Sequence, residues 1–163
     1  MYLRGIAWLS QRIPDFGALL EKEKEAIQDF SMLWSFFEGT KLDGKANITA
    51  IRKYIKSIKS IDSLYRLNVA DYLEYLRNRY FANGSFTGFY SDLHLEKTKG
   101  AAEIVDRMLQ SNSISKADEL IGCLTIIYRL RNNLFHGDKW HYQLQGQYDN
   151  FMRANELLMA FME

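Results

Sequence analysis

The sequence predicts an all-α, single-domain bundle of five to six helices over residues 1–163, and three observations lead there. Only one proline, Pro14, stands in 163 residues, so every later segment is free to run as a long helix. Apolar residues recur at spacings of three and four, the period of a helix with one buried face. No strand-like alternation of useful length, internal repeat or heptad seam competes with that pattern.

Taken in order, the first helix is expected to open after Pro14-Asp15 and to continue to about Gly39. Leu19, Leu20, Ile27, Phe30, Leu33, Trp34 and Phe37 supply its apolar positions, and the run Glu21-Lys22-Glu23-Lys24-Glu25 reads as a solvated face. Gly39 and Gly44 close it. A second helix is expected from about Asn47 to Ser60, with Ile48, Ile51, Ile55 and Ile58 on one stripe. A third covers roughly Asp62 to Phe81. Asn83-Gly84-Ser85-Phe86-Thr87-Gly88 reads as a surface loop. A short helix spans about Ala101 to Gln110. The next begins at Ser115, where Ser-Lys-Ala-Asp resembles a capping box with a shortened acid. The last runs from roughly Tyr142 to the C-terminus.

Composition narrows the function classes. With 47% hydrophobic and 25% charged residues, the chain is not of the disordered type. A formal net charge of +1 gives no global basic field, so any polyanion must be held by local groups. The lone Cys123 excludes a disulfide framework and a thiolate-rich metal site, and its apolar surroundings read as those of an inert thiol. Neither His94 nor His141 has metal-ligand spacing to another His or Cys, so no metal and no cofactor is expected. No run approaches the ~18 apolar residues of a membrane span, and Arg4, Gln11, Arg12 and Asp15 interrupt any signal-peptide layout. The expectation is a cytoplasmic protein with no membrane partner.

The helix from Ser115 carries the chemistry. Its stripe of Ala117, Leu120, Ile121, Leu124, Ile127 and Tyr128 continues onto Arg131, Leu134 and Phe135. Arg131 thus falls where leucine is expected, and a guanidinium placed there costs several kcal/mol unless a partner compensates it or the stripe opens into a cleft. Asn132, Asn133, His136 and Gly137 follow at once, with glycine as the usual left-handed stop. A permanent cation, two amides and an imidazole at one helix end suit the handling of a phosphate.

Arg131-Asn132-Asn133-Leu134-Phe135-His136 resembles the motif of the HEPN family (higher eukaryotes and prokaryotes nucleotide-binding domains). These small helical bundles are marked by Arg, four to six residues, then His, often with Asn after the Arg. Arg129 also meets the spacing, but it lies off the stripe and reads as a surface or phosphate-steering charge. The resemblance implies metal-independent RNA cleavage, in which the ribose 2′-hydroxyl attacks the neighbouring phosphate and leaves a cyclic phosphate and a 5′-hydroxyl. His136 would exchange protons with the attacking or leaving oxygen. Arg131 would stabilise the charge on the phosphorane, and Asn132 would hold the imidazole or a phosphate oxygen. Asn133, Arg129, Lys139 and Glu38 are further candidate binding residues, Glu38 as an acid that could pair with Arg131. The resemblance also implies a homodimer with two motifs across one cleft, RNA as substrate, and a toxin, defence or stress role with a possible cognate antitoxin. The alternative is a non-catalytic HEPN module that binds RNA, a nucleotide or a protein partner.

Plainer roles compete for the same residues. A histidine at a helix C-terminus is commonly a cap that favours the dipole. Trp34, Phe36 and Phe37 read as core. The stretch Lys41 to Lys59 holds Lys41, Lys45, Arg52, Lys53, Lys56 and Lys59 against only Asp43. That stretch is a solvated face by default, and a guide for an RNA backbone otherwise.

Overall fold

The chain turns helical earlier than the periodicity suggests, and its first long helix starts later. In the computed structural model, which describes residues 4–65, 69–111, 113–137 and 144–163, helix α1 (Gly5–Arg12) precedes Pro14 and a single turn, α2 (Pro14–Gly17), follows. The long helix α3 (Glu21–Lys41) starts only after an extended Leu20. The Glu23 carboxylate accepts the Leu20 N–H at 2.8 Å, supplying a partner at the start of the helix. Lys24 is buried, donating to Glu21 at 3.1 Å and lying over the Phe16 ring. The alternating Glu/Lys run is therefore a helix start as well as a solvated face.

Helix α4 (Ile48–Ser57) is capped by Asn47, whose side-chain oxygen accepts the Ala50 N–H at 2.8 Å. Within the expected third helix lie α5 (Ile61–Leu64) and α6 (Ala70–Tyr80), with Tyr65 and Val69 in π-helical conformation between them. The expected loop is a tight hairpin, in which Phe81–Ala82 pairs antiparallel with Ser85–Phe86. Its turn residues Asn83 and Gly84 both have positive φ, the combination a two-residue hairpin turn of this hand requires. The one-turn α7 (Gly88–Ser91) and a 3₁₀ turn at Leu95–Lys97 lead to α8 (Ala101–Gln110). Helix α9 (Lys116–Phe135) and helix α10 (Tyr148–Met162) complete the chain. The fold is all-α, with ten α-helical segments among the described residues where five or six helices were expected. Among the described residues, no helix is long and apolar enough to cross a membrane.

One core joins these elements. Helix α10 lies along α3, with Phe151 against Phe30 and the Asn155 amide donating to the Ala26 carbonyl at 3.0 Å. Helix α4 packs on α9, and its Tyr54 hydroxyl donates to the Phe161 carbonyl at 2.9 Å. Arg77 of α6 donates to the carbonyls of Met108 and Ser111 at the end of α8, a favourable place for a cation. Helices α8 and α9 approach closely at Gly122, where a Cβ would collide with the Met108 side chain. Phe36, expected in the core, projects outward instead, while Trp34 and Phe37 are buried.

Candidate functional site

Helix α9 is the central rod of the fold. Ser115 caps it, its hydroxyl accepting the Asp118 N–H at 3.1 Å. From Glu119 to Leu134 almost every residue is buried, on all faces. A helix apolar on all sides is one surrounded by neighbours. The apolar stripe read from the sequence is thus one side of a helix covered on the others as well. Its members Tyr128, Arg131 and Phe135 are in fact the most exposed positions of the last two turns. Cys123 faces Met108, and burial, followed by the Glu119 carboxylate, pushes its thiol pKa up, as an inert thiol requires.

Arg129 corrects the sequence reading most sharply. It is 3% exposed, not a surface or steering charge. Its Nε donates to the Leu93 carbonyl at 3.1 Å, and its two terminal nitrogens donate to Thr98 Oγ1 and Asn133 Oδ1, both at 2.9 Å. The Asn133 amide in turn donates to the carbonyls of Asp92 and Leu93 at 3.0 and 3.3 Å. Arg129 and Asn133 sit one helical turn apart on a single face. Together they clamp the 92–98 segment, which enters the 3₁₀ turn through a left-handed His94, onto α9. Both are structural groups in this chain and leave the list of ligand-binding candidates.

Arg131 is half-buried. One terminal nitrogen donates to Asn132 Oδ1 at 2.9 Å, and the guanidinium lies 5.1 Å from the centre of the Phe135 ring, within cation–π range. Its other nitrogens make no hydrogen bond among the described residues, and Nε is buried without a partner. Asn132, itself buried, holds Arg131 through its amide oxygen rather than the imidazole. Its backbone carbonyl accepts the His136 N–H at 2.9 Å, the last bond of the helix. His136 closes α9 and is exposed, and its imidazole has no hydrogen-bond partner among the described residues. Gly137 then turns the chain away at φ 86°.

Glu38 does not pair with Arg131: its carboxylate accepts the Trp34 indole N–H at 2.7 Å. Trp34 in turn stacks on Tyr128 of α9 with ring centres 6.0 Å apart. Lys139 and His141 lie outside the described residues. Among the described residues, no three His, Cys, Asp or Glu side chains converge as a metal site. The sequence reading passed over Phe135 as a functional neighbour, although its i, i+4 spacing from Arg131 is the signal for such a contact. It is 53% exposed and presents an aromatic face beside the cation.

No family model, no curated protein and no solved structure matches this chain.

Proposed function

We propose that this protein is a metal-independent endoribonuclease of HEPN type, with Arg131, Asn132 and His136 at its reacting centre. The observation that carries the reading is the tip of α9. There an exposed imidazole and a guanidinium with unused donors stand at the end of an otherwise buried rod. In the reaction the ribose 2′-oxygen bonds to phosphorus as the P–O5′ bond breaks. A base takes the 2′ proton and an acid returns one to O5′, which suits imidazole chemistry near neutral pH. Arg131 stabilises the charge gathering on the non-bridging oxygens. The bond to Asn132 and the stack on Phe135 hold its plane for that task.

Two imidazoles perform the paired proton transfers more readily than one, so the site is completed by a second copy. Half-exposed Phe135 offers apolar surface for that contact at the α9 tip. In dilute solution the protein is expected to scatter light as a homodimer, and a single-chain mass would count against the shared site. The proposed setting is the cytoplasm, as a toxin or a defence or stress effector, with an antitoxin as partner.

One observation favours the alternative, a non-catalytic HEPN module that binds RNA, a nucleotide or a protein. Within the chain Arg131 and His136 make no hydrogen bond to each other, and one Arg131 nitrogen is already committed to Asn132. Labelled single-stranded RNA incubated with the protein in EDTA separates the two. The expected products carry cyclic phosphate and 5′-hydroxyl ends, and DNA of the same sequence stays intact because it lacks the nucleophile. A single 2′-deoxy nucleotide should block cutting at its own position without abolishing binding, since phosphate contacts survive. Cutting of DNA, or a strict need for Mg²⁺, overturns the proposal. Binding without cutting selects the alternative.

A further inference from the structure

The chain has almost no net charge, yet its cations are unevenly placed. The stretch from Lys41 to Lys59 carries six of them against the single acid Asp43, which leaves the rest of the sequence net acidic. The structure turns part of this excess into a shaped surface. Ile51 and Ile55 of α4 are fully buried, which fixes the roll of the helix and presents Arg52, Lys53 and Lys56 to solvent. None of these three makes an ion pair among the described residues. With Thr49 and Ser57, at spacings of three and four along α4, they form one exposed helix face, so hydroxyls lie beside the cations. Lysines scattered over a surface would not share one face of a helix whose roll is fixed.

The position of α4 adds a second argument. It packs directly on α9. A row of rings, Tyr54 to Phe37 to Trp34 to Tyr128, with centres 5.4, 5.7 and 6.0 Å apart, ties its inner side to α9 one turn before Arg131. The basic face and the candidate site are therefore carried by elements of one packed unit.

We propose that the basic α4 face of Arg52, Lys53 and Lys56 is a second binding surface, which holds the phosphodiester backbone of single-stranded RNA while the α9 tip engages another nucleotide. The choice of RNA as the polyanion rests on the ribonuclease reading; the face itself rests on its own concentrated charge and fixed exposure. Recognition would be electrostatic and blind to sequence, because phosphate contacts position a strand without reading its bases.

Salt dependence tests this directly. Binding of a fluorescent single-stranded RNA is followed by anisotropy across a salt series, with His136→Ala as the parent so that no substrate is consumed. Combining Arg52→Gln, Lys53→Gln and Lys56→Gln should flatten the slope of log affinity against log salt by about 2, because each lost phosphate contact on a single strand removes about 0.7. The three positions are exposed, so a melting curve like the parent's is expected. A control of equal charge loss elsewhere, Lys99→Gln with Arg107→Gln and Lys116→Gln, should keep the parent's slope. DNA of the same sequence should lose affinity in step with RNA at the α4 variant. An unchanged slope in the α4 variant, equal flattening in both triples, or no RNA binding by the parent overturns the proposed α4 surface. Cleavage by the native chain is scored separately: RNA held through α4 but never cut removes the nuclease reading and leaves the α4 surface standing.

Discussion

Arg129→Ala should destabilise the protein by about 4 kcal/mol, among the larger effects of a single substitution. The change strips three charge-assisted donors from the Leu93 carbonyl, Thr98 Oγ1 and Asn133 Oδ1. Among the described residues the Leu93 carbonyl keeps only the 3.3 Å bond from the Asn133 amide, the buried Asn133 oxygen loses its donor at a cost of about 1–3 kcal/mol, and the missing side chain leaves a void as well. For a domain of this size the melting temperature should fall by roughly 10 °C. Arg131→Ala, two residues along, should stay within about 1 kcal/mol of the parent, because that side chain is half-exposed and gives up a single hydrogen bond to its neighbour. Urea unfolding of the two variants side by side checks the assignment. Equal losses would mean that the two arginines had not been separated into a structural and a functional one.

His136→Ala should produce the opposite profile. Loss of a general acid or base removes about 10²- to 10⁴-fold in rate, while an exposed side chain without a described partner contributes within about 0.5 kcal/mol to stability. Leu124→Ala, fully buried in the same helix, should instead cost roughly 2–5 kcal/mol through the cavity it leaves. Its surviving folded fraction should retain cleavage. The check is single-turnover cleavage together with thermal melting for both variants. A His136→Ala protein that melts as early as Leu124→Ala would make the imidazole a structural cap.

How much of this was legible in the sequence depended on how local the determining contacts were. Helix α8 could be placed to the residue, and Asn47 and Ser115 mark the starts of α4 and α9, because caps are set by residues three apart. The orientation of α9 was hidden. Periodicity identifies a buried face only when another face is wet, and α9 is covered nearly all round. That ambiguity assigned Arg129 to the wrong environment, whereas Arg131, expected to need a partner or an open cleft, is half-buried with Asn132 as its partner. The true partners of Arg129 include a backbone carbonyl at Leu93 and a hydroxyl at Thr98, more than 30 residues away. A main-chain acceptor at such a distance leaves no side-chain signature to read. Glu38 failed as a partner for Arg131 for a related reason: the nearer Trp34 indole, one turn back on the same helix, had already taken its carboxylate. The motif from Arg131 to Gly137 was legible as a unit because all its members belong to one helix end.

The encasement of α9 also sets a gradient of local opening along that one helix. Its middle turns, closed in by α4 and α8, are expected to exchange their amide protons through global unfolding, the slowest route a chain has. Its final turn ends in exposed Phe135 and His136 and a left-handed glycine, where fraying needs far less free energy. Arg131, held by Asn132, thus stands at the inner end of that gradient while His136 lies at its outer end. The guanidinium stays fixed in the frame of the fold, and the imidazole beyond it has room to adjust to whatever it meets.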